Sequence, residues 1–288
     1  MDRTADQSFG HPFERIFVAI LSIASGVLLV DLAVEGPLFL HRIQYKTAEL
    51  INNQLVGQDL VNLFLLSVIL IAGGVTLILK KRSSPYLLMM TPLYLIYYVL
   101  SYTIGLEWSS PKYHGNSEST MFHFLFILIS ALMILLYSLS IFPKNMKSAF
   151  GKKGLILYSS LFTLSLLLFA SMWIREVLEV MSTGMARAYG IAPTAFWVVR
   201  IFDLGFSIPL GFISVYLLWA RPDTTAPIQF LFYGFFLTMI VAVDTMGLIM
   251  FLKHDPTFLM RDLIVFLGLT VIIFFGFVYV IRNYRRSV

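Results

Sequence analysis

The chain has 288 residues, 58% of them hydrophobic and only 13% charged, with 26 Phe, no Cys and a mean hydropathy of +0.83. Such a composition cannot hide its apolar surface in one water-soluble core and calls for lipid as solvent. The net charge of +5 fits basic loops held against anionic headgroups, which makes nucleic acid a poor partner, and zero Cys excludes disulfides, thiolate metal sites and cysteine nucleophiles.

Apolar runs of about 20 residues, the length that crosses a bilayer, recur eight times, at 16–34, 60–79, 86–106, 121–142, 155–174, 195–220, 228–252 and 263–281. They consume nearly the whole chain and leave no room for a soluble domain. The expectation is an all-α polytopic transmembrane bundle of eight spans, a single integral membrane domain over 1–288. Thirteen Lys and Arg (Arg3, Arg15, Lys80, Lys81, Arg82, Lys144, Lys147, Lys152, Lys153, Arg221, Arg282, Arg285, Arg286) fall at the termini and in the even loops, against six in the odd loops. By the positive-inside rule both termini are cytoplasmic, in a cell (inner or plasma) membrane. Twelve of the sixteen acidic residues then lie on the outer side. Carboxylates near hydrocarbon are costly without a partner or a wet cavity, so this clustering is the chief functional signal.

The first span follows a polar stretch and precedes Gly36-Pro37 with no small-residue cleavage site, so it is expected to remain as a helix. Asp31 and Glu35 close it, four residues apart on one face. Asp31 sits where the helix dipole disfavours an anion. The segment 36–57 reads either as a re-entry onto the second helix or as a surface helix forming a lid. Gly57-Gln58-Asp59 is expected to open the second span, where orphan amides favour Asp. On the third, Tyr94, Tyr98 and Tyr102 recur every four residues with Tyr97 beside them, a stripe of hydroxyls that each need a partner. An aromatic belt at the interface explains Tyr102 but not Tyr94. Further on, Arg175 with Glu179 and Arg200 with Asp203 are spaced to pair on their own helices, and Asp244 occupies a similar outer depth on the seventh span.

Shifting the chain by 144 residues places Glu35 on Glu179 and Asp59-Leu60 on Asp203-Leu204; a shift of 142 places Pro85 on Pro227 and Thr103-x-Gly105-Leu106 on Thr245-x-Gly247-Leu248. Matches at such residues suggest a four-plus-four duplication with halves 14–142 and 153–283, in parallel orientation because four spans is an even number. Helices of equal length also align by themselves, so a chance match is the alternative. If the repeat holds, two rings of polar residues surround one outer mouth.

The run from Asp31 and Glu35-Gly36 through Gly57-Gln58-Asp59 to Arg82-Ser83 and the Tyr-rich third span, with Phe202-Asp203-Leu204 in the second half, resembles a group of uncharacterised prokaryotic multi-spanning membrane proteins. That resemblance implies the fold and no activity, and the insertion 109–119 is atypical of the group.

No haem is expected, since His123 alone lies in a span, and no retinal, since no Lys lies deep in one. A divalent metal at the outer mouth, using His114, His123 and carboxylates, has no supporting ligand spacing. P-loop, nucleophile-elbow and kinase motifs are absent. The leading reading is binding or transport of a small cation or polar solute through an outward-facing acidic vestibule, without a cofactor. Its residues are Asp31, Glu35, Asp59, Arg175, Glu179, Arg200, Asp203 and Asp244, with Tyr94, Tyr98 and Tyr102 as inner lining. Two alternatives are a membrane-embedded enzyme on a lipid or prenyl substrate, with a carboxylate as general base, and a non-catalytic subunit or sensor whose charge pairs hold helices together.

Overall fold

The computed structural model describes residues 9–108, 110–143, 146–187 and 189–286, the last two by backbone only. Arg3, Ser109, Lys144 and the side chains of Arg285 and Arg286 lie outside the described residues. The described residues are predominantly helical, as the apolar runs dictate: α1 (Pro12–Glu35), α2 (Glu49–Ile78), α3 (Ser84–Met89), α4 (Pro92–Thr103), α5 (Met121–Ile141), α6 (Lys152–Thr183), α7 (Pro193–Ala220), α8 (Ala226–Leu252) and α9 (Met260–Arg282). Seven of these described helices are long and apolar enough to cross a membrane, and the architecture is that of a multi-pass integral membrane protein.

The third apolar run is the exception. Pro92 has no N–H to donate and its ring opposes the preceding turn, so the run divides into α3 and α4, with Thr91 as the cap of α4 and Pro92 at its first turn. The two pieces together still follow α5 along its length. Tyr86 in α3 packs its ring on Phe142 at one end of α5, and Tyr102 in α4 packs on Phe124 at the other.

Two other boundaries depart from the expected ones. α2 begins at Glu49, so the polar stretch 50–58 is neither a lid nor a re-entrant loop but the first turns of the helix itself. Asp59 is therefore not at an N-terminus: it is the eleventh residue of α2, about 15 Å along the axis. α6 runs on to Thr183, where Gly184 takes a left-handed conformation (φ 73°) and ends it. Asp203 is likewise the eleventh residue of α7. Each of the two helices carries a π-helical turn at this depth, Asn62–Leu66 in α2 and Asp203–Ser207 in α7. Such turns carry an extra residue and are frequent at functional sites.

The first and last described residues lie on one face. Tyr137 at the end of α5 donates its hydroxyl to Phe9 O at 2.6 Å. The tail strand β2 (Tyr284–Arg286) pairs antiparallel with β1 (Met146–Ser148) in the α5–α6 loop, with Ser148 opposite Tyr284. Asp223 in the α7–α8 loop accepts from Ser148 N and Oγ at 2.9 and 2.7 Å, and Tyr284 donates to Pro222 O at 3.0 Å. On the opposite face the 104–116 loop latches onto the 36–48 loop, through Asn116 N to Gln44 O and Glu107 N to Lys46 O, both 2.9 Å. It also reaches the second half, where Glu107 Oε1 accepts from Thr194 N at 2.9 Å in the first turn of α7 and Tyr113 donates to Ile191 O at 2.7 Å.

The halves meet along α2, α4 and α8. A Cβ on Gly57 would stand 2.5 Å from Met246 Cα, and one on Gly234 would stand 2.5 Å from Met90 Cα at the α3–α4 break. Only glycine permits such backbone contact, the usual device where lipid supplies no hydrophobic drive for helix pairing. Packing is uneven around this seam. α1, α2 and α5 bury nearly half of their apolar windows, whereas α9 buries 11%.

Candidate functional site

The loosely packed half encloses a cavity of about 370 Å³ between α4, α6, α7, α8, α9 and the start of α2. It extends from Arg187, Thr257 and Asp262 at the face opposite the termini to Phe162, Leu166 and Ile273 deep in the bundle. Its wall is largely aromatic and thioether: Phe169, Trp173, Phe196, Phe235, Phe236, Phe266, Met239, Met246 and Met250. Polar groups converge on this wall at one level. Asp203 accepts from Trp173 Nε1 at 2.9 Å, from Tyr97 at 3.1 Å and from Ser207 at 3.3 Å. Arg200 lies over the Trp173 and Phe196 rings, 4.3 and 3.9 Å from their centroids, and pairs with Glu176 of α6.

The expected pairing of Arg200 with Asp203 is thus corrected. The guanidinium turns to α6, where Glu176 and Trp173, three residues apart, share the face towards α7. Arg175 and Glu179 do not form the expected ring: both lie on the exposed face of α6, without an ion pair among the described residues. Glu176, Trp173 and Tyr97 are the functional candidates that sequence reasoning left out of the site. The polar level holds two carboxylates and one guanidinium, a formal charge of −1 in mostly apolar surroundings.

A second polar cluster lies behind the cavity wall. Asp59 is 0% exposed, and neither of its oxygens makes a hydrogen bond of acceptable geometry, although the Leu38 amide lies beside it. The backbone at Gly36 covers it: a Cβ there would stand 3.0 Å from Oδ2. Around it are the stripe tyrosines and Tyr45 from the 36–48 loop. Tyr98 and Tyr102 rings lie 4.5 Å apart, and Tyr45 meets Tyr102 edge-on at 5.1 Å. Tyr94 donates to Asn62 Oδ1 at 2.8 Å and accepts from Gln58. The buried hydroxyls of Tyr45, Tyr98 and Tyr102 make no hydrogen bond of acceptable geometry, with Asn62 beside Tyr98. Burial pushes the Tyr45 phenol well above its ordinary pKa, and the Asp59 charge pushes it the same way.

Of the eleven residues singled out in the sequence, Tyr98, Tyr102, Arg200 and Asp203 line the cavity. Asp59 and Tyr94 form the cluster behind it. The others lie apart. Asp31, half exposed, is 3.6 Å from His123 Nε2; Glu35 accepts from Arg42 Nη1 through both oxygens, at 2.9 and 3.2 Å; Asp244 accepts from Thr270 between α8 and α9. The carboxylates of Asp31, Asp59 and Asp203 therefore do not ring one mouth. Comparison with protein-family models, curated proteins and solved structures finds no match for the chain.

Proposed function

We propose that this chain is an eight-pass membrane protein that binds and transports an amphiphilic solute with a cationic head, held in the Asp203 cavity. The described ends of the chain share one face, which supports an even number of passes with α3 and α4 together as the eighth. By sequence thirteen Lys and Arg are assigned to that side against six on the other, which supports a cytoplasmic assignment in a cell (inner or plasma) membrane and an outward-reaching cavity. Matching depths of Asp59 and Asp203, each beside a π-helical turn, support the four-plus-four repeat. The outward vestibule expected from the sequence becomes an aromatic chamber with one polar level rather than an acidic mouth.

The observation that carries the reading is the −1 level set in walls of aromatic rings and methionines. Aromatic faces attract organic cations, and methionine adapts to irregular apolar shapes. The net charge at Asp203, Glu176 and Arg200 selects a cation over a neutral molecule of the same shape. Equilibrium dialysis with tetraphenylphosphonium tests this. Wild type is expected to bind it and to prefer it over neutral triphenylphosphine oxide, and Asp203→Asn is expected to weaken binding about tenfold. Equal binding of the neutral probe, or no effect of the substitution, overturns the reading. The apolar depth of the cavity favours a second reading, a lipid or prenyl chain acted on by Asp203 as general base; turnover of a copurified lipid, lost in the same variant, would establish it.

A further inference from the structure

We propose that the Asp59 cluster is a binding site for a monovalent metal cation, held by the Asp59 carboxylate and the phenol oxygens of Tyr45, Tyr98 and Tyr102. Tyr98 and Tyr102 also line the neighbouring cavity, and the proposal does not rest on what that cavity holds. A carboxylate sealed from water is costly unless a positive charge accompanies it, and among the described residues no Lys, Arg or His pairs with Asp59, whose oxygens make no hydrogen bond of acceptable geometry and have the Leu38 amide as the neighbouring donor. The four phenols nearby, Tyr45, Tyr94, Tyr98 and Tyr102, are all within Coulombic reach of its charge. Three of those hydroxyls, of Tyr45, Tyr98 and Tyr102, make no hydrogen bond of acceptable geometry, with Asn62 beside Tyr98, although each belongs to a residue at least 96% buried. Under-satisfied phenol oxygens from the 36–48 loop and from α4 thus gather near a buried carboxylate of α2, a donor set that calls for an explanation.

The donor set defines the occupant. Carboxylate and hydroxyl oxygens are hard ligands, which suit alkali and alkaline-earth ions over transition metals. One carboxylate supplies one negative charge, so a monovalent ion leaves the cage neutral and a divalent ion leaves a buried positive charge. A proton would also neutralise Asp59, but it would leave the three phenols unsatisfied; a metal ion engages their lone pairs. The phenol faces add attraction for a cation.

The test is a thermal-shift titration of the purified full-length protein with NaCl, KCl or LiCl, replaced by choline chloride to hold ionic strength and pH constant. One alkali ion is expected to raise Tm by about 5 °C at a hundredfold excess over its Kd. Asp59→Asn should remain folded and lose the shift. Tyr102→Phe, which keeps the ring packing, should move the titration midpoint about tenfold higher, and it serves as the readout should Asp59→Asn fail to fold. Identical melting in all four salts overturns the proposal, as does an unchanged response in Tyr102→Phe or in folded Asp59→Asn. Stabilisation that follows pH alone and ignores the salt assigns the site to a proton and overturns it too.

Discussion

Arg200 turns its guanidinium away from Asp203, three residues further along α7, and closes an ion pair with Glu176 on α6. The Arg200 side chain is 8% exposed and that of Glu176 22%. This pair is the principal charged tie across the α6–α7 side of the cavity. Removing either partner leaves a charge in a poorly hydrated place. Glu176→Gln and Arg200→Gln are each expected to destabilise the protein by about 3 kcal/mol, and the double variant by little more than either. Thermal denaturation of the four proteins forms the double-mutant cycle that checks this.

Backbone contact at the seam between the halves predicts an intolerance to the smallest side chain. Gly57→Ala drives a methyl group to within 2.5 Å of Met246 Cα, and separating α2 from α8 is expected to cost about 1–3 kcal/mol. Gly268 on α9 has nothing within 4 Å of its would-be Cβ. There the same change should be neutral or stabilise by up to about 1 kcal/mol, because alanine is the better helix former. Melting temperatures of the two variants, compared side by side, test both statements.

Filling the cavity should separate stability from binding. Met239→Phe enlarges a wall residue that touches neither Asp203 nor Arg200 through a polar atom. It is expected to leave stability unchanged or raise it by about 1 kcal/mol, while lowering tetraphenylphosphonium binding in dialysis. A loss of stability with binding intact would show that the space is already occupied by well-packed side chains.

The clasp at the terminal face has a pH signature. Hydrogen bonds from Ser148, the side chain foremost and then the backbone amide, hold the exposed Asp223 carboxyl below its ordinary range. A depressed folded-state pKa contributes stability above the unfolded value of about 3.9, which is lost as pH falls through the folded value. Protection of the Ser148 amide in hydrogen exchange, corrected for intrinsic rates, should therefore persist down to the carboxylate range and collapse only beneath it. In Asp223→Asn that acid step should disappear.

Seven of the eight expected spans are present as continuous helices because each is a long apolar run, which hydropathy reads directly. Polar helical turns escape the same reading. The stretch 49–58 of α2 and 175–183 of α6 looks like loop by composition, yet neither contains a proline, and tertiary contacts hold them helical. The break before Pro92 was not expected, since 86–106 reads as one apolar run, and proline alone does not decide it: Pro209 lies inside α7 without ending it. Partners across helices were harder to see. Spacing along one helix suggested Arg200 with Asp203, whereas Glu176 was selected by the face α6 turns to α7, which depends on packing. The tyrosine stripe was visible at its four-residue interval. Gln58 and Asn62, spaced to flank Asp59 on one face, were an available sign of its polar surroundings, but Tyr45 comes from a loop whose path no local pattern fixes.

Strand pairing ties the α5–α6 loop to the tail, and Asp223 and Tyr284 tie both to the α7–α8 loop. At the other end of the same helices, α9 is tethered to the loop before α7 by Arg187 and Asp262, an ion pair of 2.8 Å with its arginine largely in solvent. The second half is accordingly riveted by strand pairing at the terminal face, whereas at its opposite end α9 meets the loop before α7 through side chains, so whatever enters the chamber faces its more lightly fastened side there.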